Sequence, residues 1–390
     1  MKAADRINKV EEYYFSTKLA EVKRLQEKDH SIINMAIGNP DLPSHPEVIK
    51  ELAKAASEKG SNSYQSYKGL DELRTAFSNW YKRVYGVSLN PDKEILPLMG
   101  SKEAIMHIHM AFCNPGDSVL IPNPGYPAYA AAAKLLNLNI KYYDLKEENK
   151  YRVDIEELEN TITKTTKLMW VNYPNMPTGA PGDSENFLKI IDFCKKNHIL
   201  LVNDNPYSFI LNDKPESILS HCNLSDDVME LNSLSKSHNM AGWRIGMLAG
   251  SESNIKNVLK VKSNFDSGMF KPIQLAAIKA LSLHNDWHRD INKQYAERRK
   301  MIWELLDSFH CQYDRRTSGM FVWARIPENY RNGEDFSDYL LYEKGIFAAP
   351  GSVFGSNGDS YIRFSLCTPK EELKKVIHRI KNIESCELVS

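Results

Sequence analysis

The sequence has no excess of either charge: 50 Lys and Arg residues stand against 50 Asp and Glu among 390. That balance excludes a general polyanion binder, which carries a basic excess, so no nucleic-acid partner is expected. Zero net charge with 42% hydrophobic residues also excludes a disordered chain. No run of about 20 apolar residues occurs, so no membrane-crossing helix is expected. Cysteine is sparse. Cys113, Cys194, Cys222, Cys311, Cys367 and Cys386 are scattered without a C-x-x-C, which removes support for a zinc or dithiol motif. A secreted disulfide framework is denser in cysteine. Residues 1–15 mix acids and bases and lack the apolar stretch of a secretory leader. The expected compartment is the cytoplasm. H-E-x-x-H, G-x-G-x-x-G and P-loop patterns are absent, as are repeats and low-complexity linkers. His107 and His109 lie two apart on a helical pattern and face different ways. His284 and His288 flank Asn285-Asp286, which reads as a break between helices. No metal site is expected.

What is present is alternation. Apolar Ile7, Val10, Tyr14, Leu19, Val22 and Leu25 predict an amphipathic helix over 6–28. Helices are also expected at 47–59 and 69–85. From about residue 100 to 250, short apolar strands (118–121, 140–143, 167–171, 199–202, 228–231, 245–249) alternate with helices (101–112, 128–136, 155–161, 185–196). This predicts an α/β fold whose central sheet is mainly parallel and flanked by helices. After Pro272 come long helices (273–283, 287–309), strands (320–325, 345–349, 361–365) and helices (336–344, 370–383), a smaller α+β unit. The expected division is a large domain over 46–285 and a small domain from both chain ends, 1–45 and 286–390.

A mainly parallel sheet binds ligands at the carboxyl ends of its strands, and five segments there carry chemistry. The first is Ser233-Leu234-Ser235-Lys236, with Arg244 eight residues on. Lysine forms a Schiff base with an aldehyde when its pKa is lowered. Hydroxyls and a guanidinium hold a phosphate. The alternative is a surface loop with ordinary Ser and Lys. The second is Val202-Asn203-Asp204-Asn205-Pro206-Tyr207, where an acid past a strand can pair with a pyridinium nitrogen and a phenol can reach the neighbouring ring oxygen. The alternative is a turn-capping Asp. The third is Gly100-Ser101-Lys102, a helix start whose amides favour an anion, or a simple N-cap. The fourth and fifth are Asn172-Tyr173-Pro174-Asn175-Met176-Pro177 and Asn123-Pro124-Gly125-Tyr126-Pro127. In the latter, Tyr126 can stack on a flat ring or pack in the core.

Taken in order, these segments resemble fold-type I, class I/II pyridoxal-phosphate aminotransferases, from about Ile37 to the final helix. The Gly-Ser-Lys-Glu and Asn-Pro-Gly-Tyr-Pro stretches look like the LL-diaminopimelate and broad-range branch. The resemblance implies pyridoxal 5'-phosphate as cofactor, held covalently by Lys236 as a Schiff base. Asp204 then meets the pyridine nitrogen and Tyr207 the ring 3-oxygen, with Tyr126 stacked on the ring. Ser101, the Lys102 backbone, Ser233, Ser235 and Arg244 hold the phosphate. Tyr64 matches a tyrosine that reaches the partner subunit's phosphate, which implies a homodimer with shared active sites. Arg363 and Gly38 match positions that meet the substrate carboxylate. The implied reaction moves an amino group from an amino acid to a 2-oxo acid in two alternating halves, with Lys236 as general base.

The sequence departs from the family pattern at one point. Asn-Pro-Thr-Gly usually stands where this chain has Met176-Pro177-Thr178-Gly179, with Asn175 one residue earlier. Methionine donates no hydrogen bond, so either Asn175 is shifted into the role or Tyr207 acts alone at the ring 3-oxygen; Asn175 is the expected replacement. Two other readings share the motifs: a carbon–sulfur β-lyase using the same cofactor, and a non-catalytic aminotransferase-like regulator. About 30 residues precede the Ile37 motif, too few for a DNA-binding domain. The loop 264–271, expected to approach the partner's active site, contains no arginine, which weakens a dedicated aspartate aminotransferase, although Lys271 can still serve an acidic group. The sequence leaves the donor and the acceptor open.

Overall fold

The computed structural model describes residues 1–387 except 11, 13 and 30, with side chains up to residue 381. Seven strands form the central sheet: β1 (Ile95–Leu98), β2 (Ser118–Asn123), β3 (Asn139–Asp144), β4 (Thr166–Val171), β5 (Leu200–Asp204), β6 (Val228–Ser233) and β7 (Gly246–Ala249). Their spatial order is β1-β7-β6-β5-β4-β2-β3. Only β7 runs against the rest. Side chains alternate across the sheet: Leu168 and Trp170 of β4 enter the core on one face, Met169 and Val171 that on the other. Apolar groups on both faces are what a helix-covered parallel sheet requires.

A second sheet is antiparallel. It contains β8 (Gln312–Tyr313), β9 (Phe321–Arg325), β10 (Ala349–Pro350) and β11 (Tyr361–Ser365), in the order β10-β11-β9-β8. Its core gathers both chain ends. Phe15, Val22, Ile33 and Met35 pack with Val322, Ile362, Phe364 and Val376. Residues Ile33–Asn34 pair in parallel with Ile346–Phe347. This pairing and the bidentate Arg298–Asp41 contact (2.6 and 2.8 Å) hold the segment that carries Gly38.

Three expectations differ from what is found. The 6–28 helix is two pieces, a short 3-10 turn Asp5–Lys9 and a helix Tyr14–Lys28, because Val10 is extended; residues 11 and 13 lie outside the described residues. The strand expected over 345–349 is split into Ile346–Phe347 and Ala349–Pro350, each with a different partner. Strand β1 was not expected, since Pro97 interrupts its apolar run. It lies at the sheet edge, where a missing N–H is tolerated.

Candidate active site

The carboxyl ends of β5 and β6 open onto a cavity of about 500 Å³. Three other concavities are as wide or wider, of about 690, 660 and 510 Å³, but the buried titratable groups converge on this one. Strand β6 ends at Ser233, whose hydroxyl accepts from Ser235 N at 3.1 Å and caps the single turn Leu234–Ser237. That turn delivers Lys236 into the cavity. Its Nζ donates to the Gly38 carbonyl. Burial lowers the Lys236 pKa; the nearby Cys367 opposes this, and Arg363 and Arg244 add to it. A lowered pKa is what a nucleophilic amine needs near neutral pH.

Asp204 is the last residue of β5 and is buried. Tyr129 Oη donates to its Oδ2 at 2.9 Å, while Oδ1 has no partner. Burial raises its pKa to about 7; the Tyr129 hydrogen bond works against this, and the charge of Glu230 adds to it. Tyr129 is itself held. Its ring stacks on Trp170, with centroids 4.7 Å apart. Trp170 Nε1 donates to His109 Nε2 at 3.3 Å, and His109 Nδ1 meets the Ile105 carbonyl at 2.7 Å. A carbonyl only accepts, so Nδ1 carries the proton and Nε2 is free to accept from Trp170. Burial lowers the His109 pKa to about 4, which keeps the ring neutral.

One end of the cavity is built for an anion. Gly100 caps the helix Ser101–Phe112 at φ +79°, in the left-handed region that favours glycine. A Cβ there would overlap the Arg244 guanidinium, and one at Gly246 would lie 2.8 Å from Ser101 N. Two missing side chains thus let Arg244 and the helix start approach each other. Ser101, Lys102, Ser233, Ser235 and Arg244 all line this end.

Arg363, on β11, lies at the other end. Its guanidinium is 4.0 Å from the Phe321 ring and 4.4 Å from that of Phe354. Nη2 donates to the Ala36 carbonyl at 2.7 Å, and Nη1 lies 3.1 Å from Met176 Sδ. Gly38 faces Phe321 with no room for a Cβ. Between the two ends lie Tyr126, edge-on to Tyr129 at 5.6 Å, and Tyr207, edge-on to Phe321 at 5.8 Å. Burial raises the Tyr207 pKa, and the Arg363 charge opposes the rise.

Eleven of the expected residues therefore meet in one cavity: Gly38, Ser101, Lys102, Tyr126, Asp204, Tyr207, Ser233, Ser235, Lys236, Arg244 and Arg363. Asn175 is not among the residues that line it. Its Oδ1 accepts from Thr178 Oγ1 (2.7 Å) and Thr178 N (3.2 Å), while its buried Nδ2 has no partner. Met176 lines the cavity instead, held by Asn172, whose Oδ1 accepts from Met176 N at 2.8 Å and whose Nδ2 donates to the Asp204 carbonyl. Tyr64 also lies outside the cavity and is 89% exposed. Sequence reasoning missed Tyr129, Asn172 and Glu230. Tyr129 follows Tyr126 by one helical turn, a signal that was available. Glu230 is an acid inside the apolar run of β6, also legible. It is buried and accepts from Tyr81 Oη, Ser217 Oγ, Asn203 Nδ2 and Ile218 N at 2.7–3.0 Å.

The chain belongs to the aminotransferase class I and II family, whose pattern matches residues 30–380. It is an aminotransferase that depends on pyridoxal 5'-phosphate. An LL-diaminopimelate aminotransferase of Aquifex aeolicus is 38% identical over 384 residues, 98% of this chain and 99% of that one. Among solved structures, substrate-bound BacF of Bacillus subtilis superposes with a TM-score of 0.94 at 33% identity, covering 98% of each chain. An aromatic aminotransferase of Pyrococcus horikoshii superposes at 0.86 with 28% identity, covering 95% of this chain and 100% of that one. The cavity suits the cofactor by its own features. A buried carboxylate oxygen lacks a partner, a lysine amine projects inward, and Gly100 leaves room for a guanidinium beside a helix start.

Proposed function

We propose that the Lys236 cavity transfers an amino group from an L-amino acid to a 2-oxo acid, with the roles set out here. The observation that carries the assignment is the convergence of Lys236 Nζ and the unpartnered Asp204 Oδ1 between an anion cradle and Arg363. When bound, the cofactor supplies a ring that accepts the electron pair left on the substrate α-carbon. Ser101, the Lys102 amide, Ser233, Ser235 and Arg244 hold its phosphate. Tyr126 covers one face of the ring. Asp204 Oδ1 holds a proton at the pyridine nitrogen, and that proton keeps the ring electron-poor. Tyr207 meets the 3-oxygen. Arg363 pairs with the substrate α-carboxylate, which places the α-hydrogen near Lys236. Lys236 Nζ, whose pKa burial lowers, takes that proton and returns it to a neighbouring carbon.

Tyr64, exposed on its own subunit, is assigned to the phosphate of a second copy, so the working unit is a homodimer with shared sites. Residues 46–285 are read as the large domain, and 1–45 with 286–390 as the small one. Among the described residues, no helix is long and apolar enough to cross a membrane. Cys113, Cys194, Cys222, Cys311 and Cys367 are free thiols, in keeping with a reducing cytoplasm.

The test is spectroscopic. The cofactor-loaded protein should absorb in the visible range and shift on addition of an amino donor. Lys236→Ala should lose the donor-driven shift, with turnover down by about 10⁴-fold or more. Undiminished turnover in Lys236→Ala would overturn the assignment.

A further inference from the structure

We infer that Glu230 is a positioning residue for Asp204: an ionised carboxylate, sealed behind the cavity, that fixes the end of β5 and whose charge favours a proton or a cation at Asp204. This rests on the role assigned above to Asp204 at the ring nitrogen. Glu230 lies inside β6 and is 0% exposed within one chain, so a second copy does not reach it. Its register partner on β5 is Asn203, while Asp204 pairs with Leu231. Side chains alternate along a strand, so Glu230 and Asn203 share the face opposite to the one that Asp204 presents to Tyr129. Two donors meet each Glu230 oxygen. Tyr81 Oη (2.9 Å) and Ser217 Oγ (2.7 Å) reach Oε1, and Asn203 Nδ2 (2.9 Å) and Ile218 N (3.0 Å) reach Oε2. Their other bonds fix the direction. Asn203 Oδ1 accepts from Tyr173 N at 3.1 Å, which turns its Nδ2 to Glu230. Ser217 Oγ accepts from Leu219 N at 3.2 Å and Tyr81 Oη from Asn232 Nδ2 at 3.3 Å, which leaves both hydroxyl protons for Glu230. A proton on either oxygen of Glu230 would displace one of these donors, so the group is a carboxylate. Burial raises its pKa, and the donors oppose the rise.

All four donors are neutral, so they satisfy the oxygens without cancelling the charge. That charge makes a second anion at Asp204 unfavourable unless a proton or a cation joins it. A protonated ring nitrogen is such a cation. The same bonds fix geometry. Asn203 is clamped between Glu230 and Tyr173 N, immediately before Asp204. Through Tyr81 the network reaches Asn232, whose Oδ1 accepts from Ser233 N at 2.8 Å, and Ser233 caps the turn that carries Lys236. The other titratable groups facing the two acids are Tyr81 and Tyr85 from the helix Asp71–Tyr85, Cys222, and Tyr126, Tyr129 and Tyr207 at the cavity. Phenols and a thiol are ordinarily neutral at pH 7. The cations Lys102, Lys236, Arg244 and Arg363 line the same cavity, and Asp204 Oδ1 is bonded to none of them.

The test titrates the visible band of the cofactor-loaded protein with pH, in the unmodified chain, Glu230→Gln and Glu230→Asp. Removing a negative charge disfavours the protonated form of the chromophore. The midpoint should therefore fall by at least about 0.5 pH in Glu230→Gln. It should fall by less than about half as much in Glu230→Asp, which keeps the charge. A merely structural role gives no such rescue. Equal midpoints in all three proteins, or equal shifts in both variants, would overturn the inference. A second measurement holds even where Glu230→Gln does not fold. The carboxyl carbon of Glu230, labelled with carbon-13 and assigned by its loss in Glu230→Asp, should keep the carboxylate chemical shift in the unmodified full-length protein down to about pH 6. A protonated carboxyl at pH 7 would overturn the inference and leave the transfer reaction standing. Undiminished turnover in Lys236→Ala would overturn the assigned site, and the carbon-13 titration would still read the charge on Glu230.

Discussion

Burial lifts the Asp204 carboxyl from an ordinary 3.8 to about 7, and nothing pairs with Oδ1. In the cofactor-free protein the folded state thus holds this proton more tightly than the unfolded chain. The associated stability is fully present below about pH 3.8 and is lost as pH rises through about 7, to a ceiling of roughly 4 kcal/mol. A cationic ring nitrogen beside Oδ1 would remove that loss. Thermal melts from pH 5 to 8 should therefore show the gap between cofactor-bound and cofactor-free protein widening with pH, and Asp204→Asn should flatten the trend. Tyr129 is the positioning residue for this carboxylate. Its hydroxyl favours the charged form, so Tyr129→Phe should push the Asp204 pKa higher and weaken cofactor binding several-fold. A cofactor titration at pH 6 and pH 8 reads both effects, and a merely structural role would not make the loss depend on pH.

Elements place these residues, and their limits were only partly visible in sequence. The Ser-x-Ser-Lys turn and the Asp-x-x-Tyr loop were legible because each follows an apolar strand, and the Gly-Ser-Lys segment because glycine and serine mark a helix start. The inward turn of Met176 was not legible. It depends on Asn172 reaching both Met176 N and the Asp204 carbonyl across neighbouring strand ends. The cradle shows a similar dependence. Gly100 looked like a helix start, but its closeness to Arg244 arises only when β7 returns beside β1. Gly100→Ala would force an unfavourable φ and push Arg244 aside. It should destabilise the fold by about 2 kcal/mol and reduce cofactor affinity by at least tenfold. Denaturant unfolding of the cofactor-free protein and a cofactor titration separate the two effects.

At the scale of the whole molecule, exposed Tyr64 is the feature that one chain does not absorb. If a second copy uses it, Lys236→Ala and Tyr64→Ala subunits should complement each other. Each mixed dimer then holds one site with both residues intact and one with neither. Random re-association makes half of the dimers mixed, so activity should recover to roughly a quarter of the unmodified level. Each variant alone should remain low. Failure to recover, with mixed dimers shown by mass, would place Tyr64 outside the partner's site.

The sequence alone determined the α/β class, the mainly parallel sheet and the strand-end lysine, aspartate, tyrosine and arginine, because apolar periodicity and turn chemistry are local properties of the chain. It also determined the balance of charge, 50 basic against 50 acidic residues. Only the tertiary structure decided which of those residues face one another. Arg363 and Lys236 are 127 positions apart, and nothing in their spacing sets the cavity between them. Their approach comes from packing both chain ends into one core, and the same packing carries Phe321, Phe354 and Met176 to the cavity wall.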